Sequence, residues 1–119
     1  MRPDLPVSTL QIALVDEPVR LSEIDWSADV EGIQVRELIV DERRWALVHY
    51  APGSLRHEWC EDGHLGVVLS GQIEYEFEDG GDPLTGRQGD AFTLSTGRGH
   101  RGHNRGATET ILLVIDDPA

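Results

Sequence analysis

The stretch LGVVLSGQIEYEFE, residues 65–78, indicates two antiparallel strands joined by a tight turn. Leu65–Leu69 is a short apolar run, and Ser70-Gly71 supplies the turn. Apolar and polar residues alternate strictly over Gln72–Glu78, which is the pattern of a strand with one buried and one solvated face. The stretch therefore predicts a hairpin inside a β-sheet.

Similar short runs lie on both sides of this hairpin, separated by turn residues. The strands predicted from them are Leu10–Val15, Val35–Val40, Trp45–Tyr50, Ala91–Ser95 and Glu109–Ile115. Leu21–Trp26 is predicted as a turn or a strand, and Leu55–Cys60 as extended. Asp41–Arg44 is predicted as a charged turn, and the glycines of residues 97–106 indicate close turns. No segment has a helical period over three turns, so we predict one antiparallel all-β domain of eight to ten strands, a sandwich or closed barrel.

Composition excludes several classes of function. The chain has 119 residues and a mass of 13.2 kDa, with ten Arg, no Lys and 22 acidic residues, for a net charge of −12. This charge disfavours nucleic acid and anionic membrane surfaces, because both would repel the chain, so neither is expected as a partner. The single cysteine, Cys60, excludes an internal disulfide. With neither a signal-peptide-like segment nor a bilayer-length apolar run, the expectation is a soluble protein of the reducing cytoplasm.

Histidine, cysteine and glutamate concentrate in two segments. The first, residues 56–64, reads RHEWCEDGH, and the second, residues 97–104, reads GRGHRGHN. Imidazole, thiolate and carboxylate groups are the common ligands of divalent transition metals. His49 and His103 lack a suitable partner at strand spacing, so we expect ordinary surface or packing roles for them.

The second segment resembles the second motif of cupins, G(X)5PXG(X)2H(X)3N. The residues at its five positions are Gly89, Ser95, Gly97, His100 and Asn104, with Ser95 in place of the proline. The first cupin motif, G(X)5HXH(X)3-4E(X)6G, is matched at its end, where His64 stands in place of glutamate and Gly71 follows after six residues. Its HXH pair falls on Glu58 and Cys60, or on His57 and Trp59 with the longer spacer.

The first segment is most similar to a small subgroup, the DHCW-motif cupin fold proteins. Their segment reads approximately Asp-His-Trp-Cys, then three residues, then His, whereas this chain has His57-Glu58-Trp59-Cys60 and then His64. Acid and imidazole are therefore exchanged. The metal ligands that the resemblance implies are Glu58, Cys60, His64 and His100. His57 replaces Glu58 if the strand carries a bulge.

The resemblance implies a cupin jelly roll that binds one divalent transition metal. A thiolate with two imidazoles favours zinc, iron, nickel or copper over manganese. Residues 1–30 are expected to form an arm with short strands and residues 31–119 the cupin domain, and a homodimer is expected by analogy. Three functions stay open: a metal-dependent isomerase, dioxygenase or lyase acting on a small polar molecule, a non-catalytic ligand- or metal-binding module, and a metal-free cupin.

Overall fold

A computed structural model describes residues 11–12 and 16–118, and these residues form ten strands. The strands are β1 (Gln11–Ile12), β2 (Ser27–Val30), β3 (Ile33–Val40), β4 (Arg43–Tyr50), β5 (His64–Ser70), β6 (Gln72–Phe77), β7 (Leu84–Arg87), β8 (Ala91–Leu94), β9 (His100–His103) and β10 (Thr110–Asp116). One turn of 3-10 helix, Leu21–Glu23, precedes β2. No helix in the described residues is long and apolar enough to cross a membrane.

The strands form two sheets. The larger sheet has the order β1-β3-β4-β10-β5-β8, with β2 also paired to β3, and the smaller has the order β7-β6-β9. Every pairing is antiparallel except that of β1 with β3, which is parallel. The predicted all-β, essentially antiparallel architecture is confirmed, as two sheets that face each other and not as one continuously hydrogen-bonded barrel.

The core lies between the two sheets. β3, β4 and β10 contribute alternate residues from the larger sheet, and Ile73, Tyr75 and Phe77 of β6 face them from the smaller one. These three are the apolar set of the alternating stretch, so the sequence pattern correctly assigned the buried face of β6. The opposite face of the larger sheet carries a second cluster, in which Leu21 packs with Leu38 and Val40.

Several segments differ from the sequence-based expectation. The stretch expected to hold only close turns contains β9, because all four residues of β9 pair with Glu74–Phe77 of β6. The charged turn is confined to Asp41–Glu42, whose φ angles of 48° and 66° close a two-residue hairpin, so Arg43 and Arg44 belong to β4. β7 was missed, because a four-residue strand with a central glycine has little sequence signal.

The amino-terminal part is only partly described. Of the strand predicted over Leu10–Val15, Gln11–Ile12 is a strand, and the rest lies outside the described residues. Leu21–Trp26, expected as a turn or strand, begins with the 3-10 helix. β2 forms a hairpin with β3 through Gly32, so the arm expected over residues 1–30 is tied to the larger sheet at its end. The division into arm and domain stays a prediction.

Candidate functional site

Two of the predicted ligands, His64 and His100, meet between the sheets. His64 begins β5 of the larger sheet, and His100 begins β9 of the smaller one. Both side chains are buried, at 8% and 3% exposure. Their ring centroids lie 5.2 Å apart with the planes at 82°, and Tyr75 of β6 contacts both rings. The fold therefore brings together two imidazoles that are 36 residues apart in the sequence.

Cys60 lies beside this pair because its backbone is fixed to His100. The Cys60 N–H donates to the His100 carbonyl and the His100 N–H to the Cys60 carbonyl, both at 2.9 Å. The thiol is half-buried, with Sγ 3.9 Å from the Asp62 carbonyl oxygen. Cys60 and both histidines line one cavity.

Both imidazoles are held neutral. Burial, reinforced by His100 and Arg44, lowers the pKa of His64 to about 4. Burial also lowers the pKa of His100, whose Nδ1 lies 3.3 Å from the Arg98 carbonyl. The Nε2 atom of His64 is buried and has no hydrogen-bond partner among the described residues. A neutral imidazole with a free ring nitrogen is the form that binds metals.

The cavity between the sheets has a volume of about 670 Å³, which suits a small organic molecule. Carboxylates and arginines border it together with apolar residues of β3, β4 and β10. Arg44 is neutralised on both sides, by Glu37 at 2.7 Å and by Asp116 at 3.2 Å. Residues of β2 and the preceding loop, Asp25 and Asp29 among them, also line the cavity.

Glu58 and His57, the alternative fourth ligands, are not brought to this cavity. Both are exposed, and neither is among the residues that line it, whereas Asp62 is. Over residues 11–12 and 16–118, no three His, Cys, Asp or Glu side chains are grouped so as to hold a metal ion. The four-residue ligand set stays a prediction, and its members with a place at the cavity are Cys60, His64 and His100.

The other two histidines lie elsewhere. His49 is bonded to Glu109 at 2.8 Å and packs edge-on against Trp26, so it has no position at the cavity. His103 pairs with Leu55 in an isolated bridge and stands opposite Glu74 of β6. These positions agree with the ordinary roles expected for both residues.

The sequence interpretation missed Arg44, Tyr50 and Arg56 as residues of the cavity. Arg44 and Tyr50 share the inward face of β4, since they alternate with Trp45, Leu47 and His49. Extending the predicted strand, Trp45–Tyr50, back to Arg43 would have placed Arg44 on that face. Arg56 gave no signal, because only the bridge of Leu55 to His103 and the bond from Arg56 N to the Gly102 carbonyl fix its position.

Comparison with known proteins agrees with this architecture. Residues 46–116 match the family model described as "Cupin domain". KdgF from a Halomonas species superposes with a TM-score of 0.64 at 21% identity, over 82% of this chain and 90% of that one. The polyketide cyclase RemF from Streptomyces resistomycificus superposes with a TM-score of 0.70 at 15% identity, over 86% of this chain and 79% of that one.

A Cupin 2 conserved barrel domain protein from Salinispora arenicola gives a TM-score of 0.68 at 16% identity, over 91% of this chain and 92% of that one. Among curated proteins, none matches the sequence significantly. These structural likenesses concern the fold, and the family match covers more than half of the chain, including His64, His100 and Asn104. The chain belongs to the cupin family.

Proposed function

We propose that this cupin binds one divalent transition metal through His64, His100 and Cys60 and acts on, or senses, a small polar molecule in the adjoining cavity. The observation that carries the proposal is the buried Nε2 atom of His64, which has no hydrogen-bond partner among the described residues and belongs to a ring packed against His100. Burying a polar atom without a partner costs free energy, and a metal ligand bond would remove that cost.

The donor set suits zinc, iron, nickel or copper, because it joins two neutral imidazoles to one sulfur. A bound metal would supply a Lewis acid for an oxygen atom of the cavity's ligand. The chain itself contributes the rest. Burial keeps both imidazoles unprotonated at neutral pH, and Tyr75 packs against both rings and limits their rotation. Glu58 remains the proposed fourth ligand only if the segment around Cys60 rearranges, since it is exposed here.

Metal analysis of tag-free protein tests the proposal. We expect about one metal ion per chain in the wild type after anaerobic reconstitution with zinc or Fe(II). His64→Ala and His100→Ala should lose it, whereas His49→Ala, on the other face of the sheet, should retain it. Circular dichroism identifies variants that fail to fold, and the milder His64→Gln then replaces His64→Ala. Retention of metal by folded His64 variants, or none in the reconstituted wild type, would contradict the proposal.

A small-molecule role is supported by the cavity and by the polyketide cyclase that shares this fold. Turnover measurements distinguish an enzyme from a non-catalytic binding module. An enzyme converts a bound small molecule in an isomerase, lyase or oxygen-dependent assay, and a binding module returns it unchanged. The homodimer is likewise proposed by analogy, and sedimentation equilibrium tests it, with twice the 13.2 kDa chain mass as the expected value.

A further inference from the structure

Arg56 is a cation held rigidly at the edge of the cavity. Its backbone N–H donates to the Gly102 carbonyl at 2.9 Å, and its Nε donates to the Tyr50 hydroxyl at 3.1 Å. Tyr50 is itself 2% exposed and fixed in β4. Gly102 makes room for this contact, because a Cβ there would lie 2.5 Å from the Tyr50 hydroxyl oxygen. The position of the guanidinium is therefore set by both sheets.

The anion that neutralises Arg56 comes from an exposed strand, β2. Nη2 of Arg56 lies 2.6 Å from Oδ2 of Asp29, and Asp29 belongs to β2, all four of whose residues are exposed. Arg56 and Asp29 both line the cavity, with side chains 25% and 34% exposed. In this ion pair the cation is fixed and the anion lies at a surface strand. An incoming group is therefore expected to replace the anion.

We infer that Arg56 and Tyr50 recognise a carboxylate group of the cavity's ligand, and that Asp29 holds that position in the free protein. This inference rests on the proposed function, since it names the ligand class of the same cavity. A guanidinium presents several N–H donors in a plane, and Tyr50, whose oxygen accepts from Arg56, keeps its own proton to donate. Because a carboxylate, that of Asp29, already fits this position, the ligand is assigned a carboxylate in preference to a larger oxyanion.

The other two arginines at the cavity are less suited to this task. Arg44 already contacts two carboxylates, so a ligand would have to displace both Glu37 and Asp116. Arg101 is bonded to Glu76 and to the His57 carbonyl, and it stacks on Trp59 at 4.0 Å. Only at Arg56, among these three, is the counter-ion a single carboxylate on a wholly exposed strand.

Binding of benzoate, compared with the uncharged benzamide, tests the inference by isothermal titration calorimetry on the full chain. We expect benzoate to bind more tightly than benzamide. Arg56→Gln should weaken benzoate binding roughly tenfold and leave benzamide nearly unchanged, as expected for loss of a charged hydrogen bond. Asp29→Asn should strengthen benzoate binding by roughly three- to tenfold, because the competing carboxylate is gone.

Asp25→Asn is the matched control, because Asp25 lines the same cavity and its loss removes one negative charge without freeing Arg56. A gain equal to that of Asp29→Asn would show a general charge effect and overturn the inference. Unchanged benzoate affinity in Arg56→Gln, or no benzoate binding by Asp29→Asn, would overturn it as well. Because Asp29 is exposed, that variant is informative even if Arg56→Gln does not fold. The proposed metal function is tested by the metal content of the histidine variants. Its failure is therefore distinguishable from failure of the carboxylate inference, which is tested by benzoate binding to the Arg56 and Asp29 variants.

Discussion

At the scale of single residues, Asn104 illustrates how a motif position serves the structure. Its side chain is fully buried, with Nδ2 within hydrogen-bond distance of the Tyr50, Ala51 and Thr108 carbonyls. Its Oδ1 accepts from the Gly106 N–H at 2.9 Å. One amide thus ties the end of β4 to the loop before β10. These hydrogen bonds give Asn104 a structural role, and it is not among the residues that line the cavity.

Replacing Asn104 by alanine should be costly for stability. The change leaves buried carbonyl groups and one N–H without their partner, which predicts a loss of about 2–3 kcal/mol in the free energy of unfolding. Urea denaturation followed by tryptophan fluorescence measures it. Gln88→Ala, at an exposed turn position, is the control and should change stability by less than about 0.5 kcal/mol. Equal stability of the two variants would contradict the structural role of Asn104.

The lowered pKa of His64 predicts a pH dependence of stability in the metal-free protein. Between its unfolded pKa, near 6.5, and its folded pKa of about 4, the unfolded chain binds a proton that the folded chain does not. Stability is therefore full above pH 6.5 and falls as the pH drops toward 4, by at most about 3 kcal/mol from this group. Urea denaturation in EDTA at pH 7, 5.5 and 4 measures the fall. His64→Gln has no imidazole at this position, so its free energy of unfolding should fall less between pH 7 and pH 4 than that of the wild type. Parallel pH profiles of the two proteins would contradict the assignment of this fall to His64.

At the scale of elements, the β5–β6 hairpin depends on the glycine that closes it. Gly71 has a φ of 76°, and a Cβ there would overlap the Glu109 carbonyl oxygen and lie 2.6 Å from Thr110 Oγ1. Gly80 has nearly the same φ, 79°, but a Cβ there meets no atom of the described chain within 4 Å. The two positions therefore separate backbone strain from steric overlap.

We expect Gly80→Ala to cost about 1 kcal/mol, the usual penalty for a left-handed conformation. Gly71→Ala should cost about 1–3 kcal/mol more, because β10 must shift away from the turn. Thermal and urea unfolding of both variants measure the difference. If Gly71→Ala and Gly80→Ala lower the free energy of unfolding equally, the contact between this turn and β10 does not contribute to stability.

The same elements show how far the sequence determined the fold and the site. The alternation of Gln72–Glu78 predicted β6 and its buried face, because a half-buried strand imprints its period on the sequence. β7 and β9 are short and contain glycine, so their pairing with β6 is decided by tertiary contacts. The motif resemblance predicted Cys60, His64 and His100 as ligands; the structure places all three at one cavity, and their role as metal ligands stays a prediction. Arg56 was not, because its neighbours in space, Asp29 and Tyr50, are distant in sequence and no local pattern joins them.

At the scale of the whole molecule, the excess of acidic residues opposes folding. The 22 Asp and Glu outnumber the ten Arg, and the arginines that make ion pairs in the described chain each take one or two carboxylates. The chain therefore keeps a net charge of −12 however its ion pairs form, and bringing this charge into a compact shape raises the mutual repulsion of the carboxylates.

Screening should therefore stabilise this protein, even though it weakens individual surface ion pairs. Repulsion between like charges extends over many pairs, whereas each exposed ion pair contributes only about 0–1 kcal/mol. Raising sodium chloride from about 10 to about 500 mM shortens the Debye length from roughly 30 Å to under 10 Å. We expect the urea midpoint to rise in that range. Tetramethylammonium chloride should act alike, because screening does not depend on the cation's identity. A lower urea midpoint at high salt would contradict this account, because it would show that weakened ion pairs outweigh the reduced repulsion. Stabilisation by sodium alone would also contradict it, because it would indicate a bound cation.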